Sequence, residues 1–135
     1  EELCREWLLR AGERAGLPFR PDQIGSVGGR QAQIEVVGIN TREKTLILGE
    51  CKWSPRPQDQ EVLETLIEKT GQFVPADGQW RVHYLGFARS GWTAAAQSYA
   101  RRMTKLAVNS LNWRMTGMRL LDLKQVDTDL AAWTP

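Results

Sequence analysis

A chain of 135 residues is the ordinary size of one domain and long enough to bury a core. Its 41% hydrophobic and 25% charged residues exclude a disordered or fibrous chain, and no apolar run approaches the ~18 residues of a membrane span. Cys4 and Cys51 are the only cysteines and His83 the only histidine, which excludes a disulfide framework, a redox motif and a four-ligand zinc site in one chain. No basic-then-apolar leader opens the sequence, so a cytoplasmic location is the default. The chain starts on Glu1, directly in a helical pattern, as expected of a domain excised from a longer protein.

A net charge of +2 hides an asymmetry. Between Gly78 and Leu121 there is no Asp or Glu, while Arg81, Arg89, Arg101, Arg102, Lys105, Arg114 and Arg119 all fall there. The rest of the chain holds 11 basic and 16 acidic residues. Such a division points to a positive surface that meets an anion, nucleic acid being the commonest large one. Charges solvated on a helix surface are the plainer explanation.

In chain order, Leu3, Cys4, Trp7, Leu8 and Ala11 recur at helical spacing from Glu1 to Ala15, and Gly16, Pro18 and Pro21 end that helix. Gln23 to Val27 is a short strand. Gln31 to Ile39 and Thr45 to Trp53 are two strands joined by the short polar run 40–44, hence an antiparallel hairpin. Ser54-Pro55-Arg56-Pro57 breaks the sheet pattern. A helix follows over Gln58 to Val74, with Val62, Leu63, Leu66, Ile67 and Phe73 on its apolar side. Arg81 to Ala88 is a strand, Thr93 to Lys105 a helix and Met118 to Leu123 the last strand. The order α-β-β-β-α-β-α-β predicts one α/β domain over residues 1–135, with a mixed sheet flanked by helices on both faces.

On the hairpin, alternation puts Leu46, Leu48, Glu50 and Lys52 on one face, and Gln33, Glu35, Val37 and Ile39 on one face of the neighbouring strand. Two carboxylates brought close repel unless a cation or a proton sits between them, so removal of one would relieve the site. Lys52 offsets one charge, and oxygen ligands favour Mg²⁺ or Mn²⁺ for the other. The same Glu50-Cys51-Lys52 triplet also fits an ordinary solvent-facing pair. Cys51 alternates to the other face, and His83, alone inside a strand, is structural. Trp7 and Trp53 lie in patterned segments and are expected in the core. Arg89, Ser90 and Thr93 stand where a strand hands over to a helix, a place for backbone NH groups to meet phosphate or for Ser90 to cap the helix. Arg101, Arg102 and Lys105 lie within little more than one helical turn and can track a phosphate backbone or simply face water. No G-x-x-x-x-G-K-[ST] motif is present.

The runs Ile34-Glu35-Val36-Val37 and Leu46-Ile47-Leu48-Gly49-Glu50-Cys51-Lys52-Trp53 resemble the PD-(D/E)XK signature of restriction-endonuclease-like domains. More narrowly, with Glu1-Glu2-Leu3-Cys4-Arg5-Glu6-Trp7-Leu8, residues 84–93 and Met118 to Leu123, the chain resembles the C-terminal domain of unknown function of archaeal-type ATPases. The resemblance implies a restriction-endonuclease-like fold and a metal-dependent nuclease-like domain acting on DNA beside an N-terminal ATPase domain in cis. Glu35 and Glu50 would hold Mg²⁺ or Mn²⁺, Glu1 would reach the metal through water from the opening helix, and Lys52 would position the attacking water or steady the phosphate charge. A negative charge at a helix start is the alternative role of Glu1. Three departures count against activity: Glu35 stands where Asp is usual, Gln33 where an acid is common, and Gly28-Gly29 where Trp-Trp is frequent. A non-catalytic module that binds nucleic acid or regulates the ATPase is the competing expectation. A homo-oligomer is compatible with either, and a membrane partner with neither.

Overall fold

The computed structural model describes residues 2–14, 17, 20–28 and 33–133 and, for residues 26–28, 33 and 35, the backbone alone. Helix α1 (Glu2–Glu13) is followed by strands β1 (Gln23–Gly28), β2 (Gln33–Asn40) and β3 (Thr45–Lys52). Helix α2 (Gln60–Glu68) runs into a single 3₁₀ turn, and β4 (Trp80–Ala88), α3 (Ala94–Leu106), β5 (Trp113–Asp122) and α4 (Leu123–Trp133) complete the chain. The five strands lie in sequence order; β1, β2 and β3 are antiparallel neighbours, and β3, β4 and β5 are parallel. This is the expected mixed α/β architecture, including the hairpin.

Alternation along the strands divides the core. Cys4, Trp7, Leu8 and Ala11 of α1 pack with Val36, Ile47, Cys51, Leu85, Phe87 and Val126 on one face of the sheet. Leu46, Leu48, Val82 and Tyr84 pack with Leu66 of α2 on the other. On that second face Ala88 also meets Leu63 of α2 and Ala96 and Ala100 of α3. Cys51 and Leu48 therefore fall on opposite faces, as their phase predicts.

Three expectations are corrected. The chain ends in a helix, α4, beyond the last expected strand. Asp122 accepts the Gln125 N–H at 2.7 Å to start it, and Val126, Leu130 and Trp133 pack against α1's cluster. Alternation along β2 is broken, because Gly25 pairs with Val37 but Val27 with Ile34, three residues of β2 spanning two of β1. That bulge carries Ile34 to the α2 side together with Val37 and Ile39, while Val36 faces α1. Trp53 is 41% exposed rather than core, since β3 ends at Lys52 and no neighbouring element covers the next residue. Trp7, by contrast, is fully buried, edge-on to Phe87 at 5.7 Å, with its indole N–H on Asp129 at 2.9 Å.

Candidate functional site

The parallel strands bring chemistry to their C-terminal ends, where open α/β sheets place their ligands. Register sets Glu50 beside Gly86 and Leu120, and Lys52 beside Ala88 and Asp122, so each trio shares one level and one face of the sheet. Gly86 is needed there. A Cβ on it would come within 2.6 Å of the Trp92 ring and 2.9 Å of Leu120, so the missing side chain lets the Trp92 indole lie across the sheet beside Glu50. The Trp92 N–H donates to the Leu121 carbonyl at 3.2 Å and fixes that wall.

Glu50 is 6% exposed, and a carboxylate so buried needs partners. One oxygen accepts from Lys69 Nζ at 2.6 Å, and the other lies 3.8 Å from Lys52 Nζ. Lys69 was not anticipated from sequence. It caps the C-terminus of α2, one turn after Leu66, and the end of that helix is pinned underneath. Thr70 is buried, its hydroxyl donating to the Leu66 carbonyl at 3.0 Å and sharing a 2.6 Å hydrogen bond with the Tyr84 hydroxyl. Burial pushes the Tyr84 phenol well above its ordinary value, so this anchor stays protonated and neutral. The three-residue spacing from Leu66 to Lys69 was the available signal, because it puts both on one side of α2.

Of the three carboxylates that resemblance implies as metal ligands, Glu50 alone has a described side chain. Glu1, and the side chain of Glu35, lie outside the described residues, and so does the expected meeting of Glu35 with Glu50. Among the described residues no three His, Cys, Asp or Glu side chains gather to hold a metal ion. What surrounds Glu50 is two ammonium groups, giving Glu50, Lys52 and Lys69 a net charge of +1. Among the described residues, Glu50 offers a divalent cation one carboxylate, whose oxygens already face Lys69 and Lys52.

The cations of the acid-free stretch are all exposed but do not form one surface. Arg89 follows β4 directly and is tied to the site, its N–H donating to the Lys52 carbonyl at 2.9 Å. Arg101 and Lys105, one turn apart on α3, line a cavity between α3 and β5. Arg102 instead lies over the Tyr99 ring at 5.8 Å. Arg119 sits over Trp7 at 5.1 Å, on the α1 face. Arg81 and Arg114 are paired at the opposite end of the sheet, because β4 and β5 run parallel and begin there. Ser90 is not the helix cap. Its hydroxyl donates to the Ser54 carbonyl at 3.4 Å, and the Thr93 hydroxyl accepts the Ala96 N–H at 3.1 Å.

His83 lies on the other face of the sheet from Glu50. Its ring packs over Gly117, and burial, with help from the Arg119 charge, lowers its pKa to about 4. The folded protein thus holds the imidazole neutral where the unfolded chain, with an ordinary value near 6.5, takes up a proton. Stability is then level above neutral pH and falls as the pH drops through 6.5 toward 4, by about 2 kcal/mol between pH 7.5 and 5. Urea denaturation at those two pH values should show this loss in the wild type and lack it in His83→Gln; equal losses in both would remove His83 as its source.

Residues 1–67 match the model of a family described as archaeal and bacterial proteins of unknown function. The matched part contains Glu50 and Lys52 and stops before Lys69 and α3. No curated protein and no solved structure matches the chain. No helix among the described residues is long and apolar enough to cross a membrane.

Proposed function

We propose that this chain is a nucleic-acid-binding domain of nuclease-like build, which grips a DNA backbone at the C-terminal ends of β3 and β4 and along α3. The observation that carries this reading is a set of cations from the C-terminal ends of β3 and β4 down along α3: half-buried Lys52 and exposed Arg89, Arg101 and Lys105. Among the described residues Arg89, Arg101 and Lys105 have no carboxylate partner, so their charge is available to phosphates.

A second reading, a Mg²⁺- or Mn²⁺-dependent nuclease, is favoured by one specific feature: Glu50 and Lys52 stand two residues apart on one face at a strand end, as the resemblance implies. Lys69 counts against it, since the carboxylate that would hold the metal already has a protein cation. The ATPase partner in cis rests on the sequence resemblance alone.

Incubation of the domain with single-stranded, flapped and blunt duplex DNA in Mg²⁺ or Mn²⁺ separates the two. Binding without cleavage is the expected result. Cleavage that disappears in Glu50→Gln would replace the binding-only reading with the catalytic one.

A further inference from the structure

We propose that the cavity between α3 and β5 is a pocket for one unpaired nucleobase, so that the DNA this domain prefers has a single-stranded or splayed segment. The inference rests on the nucleic-acid reading above and names its substrate class. The cavity encloses about 590 Å³, within the range of small-ligand sites. Its floor is apolar, from Trp92, Ala100, Met118 and Leu120, and Gln97, Thr104 and Asp122 supply hydrogen-bonding groups around it. Arg101 and Lys105 stand on the rim.

That combination matches a nucleotide better than its simpler alternatives. A free phosphate would leave the apolar floor unused, and a purely apolar ligand would leave both cations without a partner. A base has flat apolar faces and a polar edge, and it carries its own phosphate to the rim. Bases held this way stack on apolar or aromatic side chains and offer their edges to a few polar groups.

Position strengthens the match. Leu120 and Asp122 lie level with Glu50 and Lys52 on the same sheet face, two strand spacings away, on the order of 10 Å. Between them run Arg89 and Ser90, and then Gly91, whose φ of +84° gives the tight turn that opens the cavity wall. A strand whose phosphates pass over Lys52 and Arg89 therefore reaches the pocket within a few nucleotides. A paired base cannot enter without leaving its stack, so unpaired segments gain most.

The test is binding of three oligonucleotides of equal length, single-stranded, flapped duplex and blunt duplex, to wild type and to Thr104→Trp, followed by fluorescence anisotropy. Thr104 is exposed at the cavity mouth, so an indole there closes the pocket without entering the core. Gln97→Trp, exposed on the other side of the cavity, repeats the test if Thr104→Trp melts early. Wild type should bind the two unpaired substrates roughly tenfold tighter than blunt duplex, the scale of stacking one base. Filling the cavity should abolish that preference and leave blunt-duplex affinity unchanged. Equal affinities in wild type, or a preference that survives both well-folded variants, overturns the pocket while the nucleic-acid reading stands. Binding to none of the three overturns both.

Discussion

Lys69→Met should lower the stability of this protein by about 3 kcal/mol, on the order of 10 °C in melting temperature. The cause is what it leaves behind. Glu50 is 6% exposed, and its shortest contact is the 2.6 Å pair with Lys69. Lys52 remains, but at 3.8 Å and on a side chain that is 43% exposed, so it compensates only in part. Breaking a buried pair costs more than the pair contributes, because one charge stays desolvated. The double variant Glu50→Gln, Lys69→Met should therefore recover most of the loss. Glu50→Gln alone should destabilise by roughly 1–2 kcal/mol, leaving Lys69 opposite a neutral acceptor. A crowded acidic site gains stability on losing a carboxylate; the 2.6 Å Lys69 contact is the reason a loss is expected here. Urea denaturation of the four proteins gives the coupling directly, and a double variant no more stable than Lys69→Met would show that the two residues act separately.

The second large effect is on affinity. Each phosphate contact on duplex DNA releases close to one counterion, which at 0.1 M salt is worth about tenfold in binding. Arg101→Gln with Lys105→Gln should thus weaken DNA binding on the order of 10²-fold. Arg102→Gln, on the same helix and with the same formal charge, should change it by less than about threefold, because Arg102 is turned over Tyr99. Charge counting along the sequence treats the three residues alike; the two sides of α3 do not. Equal losses from Arg101→Gln, Arg102→Gln and Lys105→Gln would mean that only net charge matters and that the α3–β5 face has no special role.

The hairpin and the phase of β3 were legible because strict alternation of Leu46, Leu48 and Glu50 against Ile47 and Cys51 survives in the folded strand. The bulge in β2 was not, since an extra residue leaves no mark on hydrophobic pattern when Ile34, Val36 and Val37 are all apolar. Helix α4 carried its own signals, Asp122 followed three residues later by Gln125 and an apolar series at 126, 130 and 133, but a strand reading of the preceding residues absorbed its start. Trp53 was misplaced by one residue of strand length. Spacing puts Lys69 on the same side of α2 as Leu66, but nothing in the sequence ties it to Glu50, because that meeting depends on how α2 docks over β3 and on Thr70 and Tyr84 beneath it. The acid-free stretch was a correct count with the wrong geometry: the parallel strands β4 and β5 begin at the opposite end of the sheet and hold Arg81 and Arg114 there, while Arg119 faces α1.

The most direct test of the central claim is the salt dependence of DNA binding by the wild-type domain. Four phosphate contacts, at Lys52, Arg89, Arg101 and Lys105, predict a slope of log affinity against log salt of about −3 to −4, or roughly 10²-fold weaker binding from 50 to 200 mM salt. The slope should fall by about two in the Arg101→Gln, Lys105→Gln variant. A flat dependence, or a slope the same in wild type and variant, would contradict the account.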